Sequence, residues 1–437
     1  MKFPKFKFKA VIAFILILAL LFIIFPVAAG AASENSQDNQ DKSAGFAEKF
    51  ISNIGFLQIS FGQIIMILVA FALLYLAIVR KYEPMLMVPL AIGILMANMP
   101  LARLSAYDVG VMNADGTDYM LLPGLLHLIY QGLKLVVFPP LVFLCIGTMT
   151  DFGPLIASPR SAIIGLGAQF GIFAAFGLAL AASPVLKMMG LEGFTAGEAG
   201  SIGIIGGADG PTAIFTAVRL APELLASVAI AAFSYMALVP MIQPPIMKIL
   251  TTKKERLIVM PEPKKVTKRQ KIIFPIAMMT AVLLFLPSAG ALVGMLMFGN
   301  LIRECGVLER YSRTLPNDFL NILTIFVGIS VGSSARADYF LTYKTLIIIV
   351  LGLLSFAFGT FGGVVTAKVL NKITGGKINP LIGNAGVSAM PMAARISQKM
   401  GQKYDPQNHL LMHAMGPLVA GVIGSGLAAG IFLALFS

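Results

Sequence analysis

Gly203–Phe215 reads G-I-I-G-G-A-D-G-P-T-A-I-F and places a single carboxylate, Asp209, among glycines in a very apolar chain. Gly206, Gly207 and Gly210 weaken regular helix and Pro211 has no N–H to give, so residues 206–210 are expected to be non-helical, with new helix starting at Pro211. Carbonyls freed from a broken helix make a cation site when a carboxylate joins them, and backbone of this kind is tolerated at membrane depth only beside protein or a wet cavity. A surface turn between two short helices is the competing reading. It leaves an intramembrane carboxylate without a purpose.

A second stretch, I-N-P-L-I-G-N-A-G-V-S-A-M-P-M-A-A-R, offers Asn379, Asn384 and Ser388, with Gly383 and Gly386 loosening the backbone. These are oxygen donors without charge. Together with Asp209 they suit sodium or a proton better than a transition metal. Arg395 closes the stretch, either as an interfacial cation or as the partner of an anionic group entering from the cytoplasm. Tyr235, in S-Y-M-A-L-V-P, adds a hydroxyl that could equally be a packed tyrosine. His409 and His413 stand four apart, but H-L-L-M-H has no acidic residue between them, which favours polar packing over a metal pair. Cys145 and Cys305 are too few for a disulfide framework and show no metal-ligand spacing.

The elements that must hold these groups follow from composition. With 57% hydrophobic and 12% charged residues and a mean hydropathy of +0.87, the chain is read as an all-α polytopic membrane protein. A net charge of +13 could suggest nucleic acid, but Lys and Arg fall in short runs between apolar segments, so no nucleic-acid partner is expected and charge is read as topology. Residues 1–32, basic then apolar then small, are a signal peptide or an extra helix, followed by a polar loop outside the cytoplasm. Spans are then expected at Phe56–Val79, Met85–Leu101, Leu133–Met149, Ser161–Ala182, Leu224–Leu250 and Ile272–Leu286. Residues 251–271 hold eight basic residues against Glu255 and Glu262 and are placed inside. Parity then makes the Asp209 segment a re-entrant hairpin.

The second half echoes the first. Ile204–Pro211 aligns with Leu381–Ser388 at an offset of 177, which also carries Pro240 to Pro417. The span at Ile272–Leu286 separates the halves, so the second starts from the opposite side. We therefore expect an inverted-topology repeat with two broken re-entrant hairpins and about 10–11 membrane spans. The divisions are 1–50 (N-terminal signal or extra helix and polar loop), 51–84 (leading span), 85–250 (repeat 1), 251–287 (basic cytosolic loop and linking span) and 288–437 (repeat 2).

G-G-A-D-G-P-T-A-I-F, S-Y-M-A-L-V-P-M-I-Q-P-P-I-M-K, I-N-P-L-I-G-N-A-G-V-S-A-M-P-M-A-A-R and L-L-M-H-A-M-G-P closely resemble the beta subunit of the sodium-pumping biotin-dependent decarboxylases. M-T-D-F-G-P-L and R-K-Y-E-P look similar too, and the likeness runs from about residue 56 to the C-terminus. The resemblance implies a multi-pass subunit of a bacterial or archaeal cytoplasmic membrane that decarboxylates carboxybiotin and couples this to sodium export. It further implies sodium at Asp209, Asn379, Gly383, Ser388 and Tyr235, catalytic roles for Arg395, Tyr235 and Ser388, and carboxybiotin at Arg395. The implied partners are a carboxyltransferase, a biotin carrier subunit that supplies the carboxybiotin and a small membrane gamma-type subunit, in a homo-oligomer. The alternative is a sodium-coupled carboxylate transporter without decarboxylase activity, which would use the same broken helices.

Loop charge gives a direct test. Single cysteines at residues 102–120 should react with an impermeant reagent from outside, and those at residues 251–271 only after permeabilisation. Labelling of both loops from one side would refute the parity argument.

Overall fold

Glycine and proline decide where this chain stops being helical and where its helices touch. The computed structural model describes residues 55–437 except 82, 101–103, 105–108, 113–118, 123, 263 and 390–391. The expectations for residues 1–50, and for Arg103, Asp108, Asp115 and Asp118, therefore lie outside the described residues. Ile65–Asn98 and Leu104–Ser437 form one compact unit. The other unit contributes, among the described residues, the turn Gly55–Gln58, the first residues of the leading helix, Met99 and Pro100.

Fifteen helices of eight or more residues are described: α1 Phe61–Ile78, α2 Pro84–Ala97, α3 Leu125–Lys134, α4 Phe138–Met149, α5 Arg160–Ala168, α6 Phe170–Met188, α7 Ala196–Gly203, α8 Gly210–Leu220, α9 Leu225–Leu250, α10 Lys268–Phe285, α11 Gly290–Cys305, α12 Leu320–Ser334, α13 Tyr343–Ile373, α14 Met392–Tyr404 and α15 Leu411–Phe436. The fold is all-α apart from one antiparallel β-hairpin, Val109–Met112 with Tyr119–Leu122, in which Val109 faces Leu122.

Among the described residues, five helical segments are long and apolar enough to cross a membrane: Phe61–Ile78, Arg160–Met188, Glu309–Ser334, Tyr343–Ile373 and Leu411–Phe436. Two bent pairs raise the number to seven, against the 10–11 expected from hydropathy. Residues 1–50 lie outside that count, and length and charge account for two further expected spans. At 1.5 Å per residue the 14 residues of α2 span about 21 Å, short of a hydrocarbon core of about 30 Å. The 18 residues of α10 start with K-R-Q-K, which leaves too little apolar length.

The span expected at Leu133–Met149 is instead α3 and α4 meeting at 67°. Val136 turns the chain at φ 60, and Pro139 and Pro140 open the first turn of α4, where a missing N–H costs nothing. A second bend of 64° separates Pro222–Met236 from Leu238–Leu250. Pro240 accounts for it, because its ring blocks the carbonyl one turn earlier.

Helix pairs approach closely where glycine removes the side chain. A Cβ at Gly93 of α2 would lie 2.5 Å from the Ile329 carbonyl oxygen of α12. A Cβ at Gly147 of α4 would lie 2.0 Å from the Leu296 carbonyl oxygen of α11, and one at Gly299 would lie 2.0 Å from the Leu144 carbonyl oxygen. Each pair is also pinned by an asparagine. Asn98 Nδ2 donates to the Ala335 carbonyl (2.9 Å) beyond α12, and Ala337 N donates back to Asn98 Oδ1 (2.9 Å). Asn300 Nδ2 donates to the Thr150 carbonyl (2.8 Å) beyond α4. On the face carrying the basic loop, Lys271 Nζ lies 2.9 Å from Asp151 Oδ1.

Gly147→Val should therefore separate α4 from α11, since a backbone carbonyl has nowhere to go, and overpacking of this kind costs about 1–3 kcal/mol. The readout is a lower melting temperature of the purified protein in detergent. Gly177→Ala in α6, where an added Cβ meets nothing within 4 Å, is the control and should melt no earlier than wild type. Equal melting of the two variants would overturn the packing argument.

Candidate cation site and cytosolic interface

The first interruption is built in four steps. Thr195 caps α7 in a reciprocal capping box with Glu198, α7 ends at Gly203, Ile204–Gly207 tighten into a 3₁₀ turn, and Ala208 turns left-handed at φ 52. Asp209 is extended (φ −119, ψ 102), and α8 restarts at Gly210 with Pro211 in its first turn. The α-helix is thus interrupted over residues 204–209, starting two residues earlier than the expected 206–210, with the sharp turn at Ala208–Asp209. The glycines serve closeness instead of turning: a Cβ at Gly206 would lie 2.0 Å from Ser355 Oγ, and one at Gly210 would lie 2.2 Å from the Phe233 ring.

Asp209 is 7% exposed. Its Oδ2 faces Thr212 Oγ1 at 2.5 Å and Ser425 Oγ of α15 at 3.2 Å, and it makes no ion pair with a Lys, Arg or His among the described residues. Ser425 Oγ also lies 3.0 Å from the Val422 carbonyl. One hydroxyl proton cannot serve both acceptors fully. When it goes to Val422, two lone-pair oxygens face each other near Asp209, an arrangement that a desolvated cation relieves.

The second interruption starts at Asn379, winds through the 3₁₀ turn Pro380–Gly386, and extends at Val387 before α14. It joins the first directly. Ser388 N and Oγ both donate to the Gly207 carbonyl, at 3.0 and 2.7 Å. Gly383 packs on α13, where a Cβ would lie 2.3 Å from the Gly363 carbonyl oxygen.

The remaining sequence candidates fall in three places. Tyr235, buried on α9, donates its hydroxyl to the Ile349 carbonyl of α13. Asn379 turns toward the basic loop: Nδ2 donates to the carbonyls of Arg256 (3.1 Å) and Ile258 (2.9 Å), while Oδ1 accepts from Leu381 N (3.0 Å). Asn384 lies in a buried network, donating to Gln243 Oε1 (2.8 Å) and the Ala393 carbonyl (2.9 Å) and accepting from Ser397 Oγ (2.6 Å). Arg395 of α14 is exposed and makes no hydrogen bond or ion pair among the described residues. The structure therefore brings Asp209, Gly207 and Ser388 together, and it gives Asn379 and Asn384 other partners.

Sequence reading missed Thr212, Ser425, Gln243 and Arg256. Ser425 had a signal, since it is the single hydroxyl residue of α15 and is flanked by Gly424 and Gly426. Arg256 had none, being one cation in a basic run. Its buried guanidinium binds Thr251 Oγ1 (2.8 Å), the Lys248 and Thr251 carbonyls (2.5 Å each) and the Tyr404 hydroxyl (2.5 Å).

A family model described as the beta subunit of Na+-transporting oxaloacetate decarboxylase matches residues 62–436. The methylmalonyl-CoA decarboxylase subunit beta of Propionigenium modestum is 53% identical over 396 residues, covering 89% of this chain and 98% of the relative. The glutaconyl-CoA decarboxylase subunit beta of Acidaminococcus fermentans is 49% identical, covering 88% and 96%. The oxaloacetate decarboxylase beta chain 2 of Salmonella typhi is 47% identical, covering 88% and 97%. With the broken helices, the buried carboxylate and 375 residues spanned by the family model, this chain belongs to the beta-subunit family of the sodium-transporting decarboxylases.

Proposed function

We propose that the chain decarboxylates carboxybiotin presented by a partner and exports sodium through a site centred on Asp209. As a family member it is the membrane subunit of a multi-subunit decarboxylase and couples decarboxylation to sodium transport. The observation that carries the finer reading is the carboxylate of Asp209, buried without a cationic side chain where the two interruptions meet. Thr212 and Ser425 supply hydroxyl oxygens, and Ser388 supplies one more from the second interruption. Relatives named for three different acyl substrates are 47–53% identical to this chain. That favours a shared carboxyl carrier as the species met by the membrane subunit, with the acyl substrate chosen by a carboxyltransferase partner.

The chemistry requires a proton. The N–CO2 bond of carboxybiotin breaks, CO2 leaves, and the electron pair left on the ureido nitrogen takes up H+ to restore biotin. Arg395, exposed and without a partner among the described residues, is assigned to the carboxylate, because a planar guanidinium makes paired charge-assisted bonds. Ser388 and Tyr235 carry hydroxyls suited to relaying the proton. Asn379 and Gly383 are assigned to the second interruption's side of the cation path: Asn379 holds its start to the basic loop, and Gly383 lets it pack against α13.

We also read the halves as an inverted repeat. The support is reciprocal packing: α2 on α12 and α4 on α11, each with a glycine contact and an asparagine that bonds the backbone just beyond its partner helix. A carboxyltransferase, a biotin carrier and a gamma-type subunit complete the proposed complex, which we take to be a homo-oligomer.

Asp209→Asn should abolish sodium-dependent decarboxylation in reconstituted vesicles while the protein still folds, because the site loses its formal charge. Wild-type turnover of the variant at saturating sodium would sink the assignment. Arg395→Lys should weaken use of the carboxybiotin carrier more than sodium affinity. The reverse, a tenfold shift in sodium dependence (about 1.4 kcal/mol) at unchanged carrier dependence, would move Arg395 into the cation pathway.

A further inference from the structure

Gln169 stands between α5 and α6, about a third of the way along the segment Arg160–Met188, and is 5% exposed. Its Nε2 donates to the Gly165 carbonyl (3.1 Å) and to the Gly421 carbonyl of α15 (3.3 Å). Its Oε1 is buried and has no partner among the described residues. A buried amide oxygen of this kind pays its desolvation with nothing in return, so its position calls for an explanation.

The surroundings supply one. Gly421 and Ser425 are four residues apart on α15, so the carbonyl held by Gln169 and the hydroxyl facing Asp209 lie on the same side of one helical turn. A Cβ at Gly424, beside Ser425, would lie 2.9 Å from Gln169 Nε2, so the amide packs directly on that turn. The first interruption reaches the same place: a Cβ at Gly207 would lie 3.0 Å from Ser425 Cβ, and one at Gly206 would lie 3.0 Å from Ile172 N, three residues after Gln169. The second interruption closes the other side, where a Cβ at Gly386 would lie 2.8 Å from Ala168 Cβ. Gln169 thus packs on α15 while its chain neighbours Ala168 and Ile172 touch the second and first interruptions, which places it in the same region as the Asp209 carboxylate.

We propose that Gln169 Oε1 is a coordinating oxygen for the transported cation, acting with Asp209 and the hydroxyls of Thr212 and Ser425. A desolvated monovalent cation needs several oxygens, and one carboxylate with the hydroxyls of Thr212, Ser425 and Ser388 leaves that shell incomplete. The amide is pre-set for the task, because its two N–H bonds fix which end of the side chain is free. This inference rests on reading Asp209 as the cation site.

The test uses the complete complex in vesicles and the purified membrane subunit, with sodium chloride as the probe. Gln169→Leu keeps the volume and removes the oxygen; Gln169→Glu keeps an oxygen at the same reach. The Leu variant should raise the sodium half-saturation of decarboxylation at least tenfold, leave the carrier half-saturation unchanged, and lose most of the sodium-induced rise in melting temperature. The Glu variant should keep sodium half-saturation at or below the wild-type value. A Leu variant within twofold of wild type in sodium dependence overturns the proposal, as does a Glu variant impaired as much as Leu, which would mark the amide N–H bonds as the important feature. Should the Leu variant fail to fold, the Glu variant alone decides. Asp209→Asn is run alongside: wild-type sodium dependence there defeats the site as a whole, whereas its loss with an unaffected Gln169→Leu defeats the Gln169 inference alone.

Discussion

Asp209 is a carboxylate taken out of water and left without a cationic side chain among the described residues, and this one constraint explains the surrounding architecture. A buried charge of that kind is tolerated when oxygen donors and a mobile cation share the cost. The oxygens that face it are the hydroxyls of Thr212 and Ser425, and the chain has to turn between α7 and α8 to present the carboxylate to both. Hence α7 unwinds through a 3₁₀ turn and the chain restarts at Gly210. Regular helix through residues 204–209 would use up the carbonyls and turn Asp209 away from Ser425.

Breaking two segments in an apolar interior exposes backbone that neighbouring helices must pack against closely. Alpha-helix α13 does most of this. Ser355 Oγ donates to the Gly203 carbonyl at the end of α7 (3.4 Å), and Gly363 sits where a Cβ would lie 2.1 Å from the Gly383 carbonyl oxygen. The ends of the interrupted segments are fastened by charge. Lys344 Nζ lies 2.8 Å from Glu198 Oε1, holding the start of α7 to the start of α13. At the basic loop, the carbonyls of Arg256 and Ile258 each accept from both Asn379 and Asn408, which bracket the second interruption and α14. Each interrupted segment is therefore pinned at its mouth and free of regular hydrogen bonding at its tip.

Much of this was legible in the sequence. Composition set the membrane class, glycine and proline located both interruptions to within a few residues, and Asp209 and Ser388 were singled out before any geometry. What escaped reading has a common cause. Thr212, Ser425, Gln243 and Arg256 act through contacts between segments far apart in the chain, and a hydroxyl or amide in an apolar helix carries no sign of which neighbour it will meet. The sequence marks Gly206 and Gly210 as weakening regular helix, whereas in the structure Ala208 makes the left-handed turn and the two glycines make room for Ser355 and Phe233. Apolar length also does not reveal bends, and the straight span expected at Leu133–Met149 is the bent pair α3 and α4.

The join between Gly207 and Ser388 is where chemistry and transport can communicate. Arg395 lies seven residues beyond Ser388, on the helix that follows the second interruption, and Asp209 lies two residues beyond Gly207. Because Gly207 takes two hydrogen bonds from Ser388, a shift of the second tip pulls on the carbonyl next to Ala208, whose left-handed backbone sets the direction of the Asp209 carboxylate. Loss of a carboxylate at Arg395 changes the charge facing α14 by a full unit. On the proposed reading that change reaches the cation through α14, the hydrogen bonds from Ser388 to the Gly207 carbonyl and the unwound residues Gly207, Ala208 and Asp209, and this is a physical reason for the two broken segments to meet.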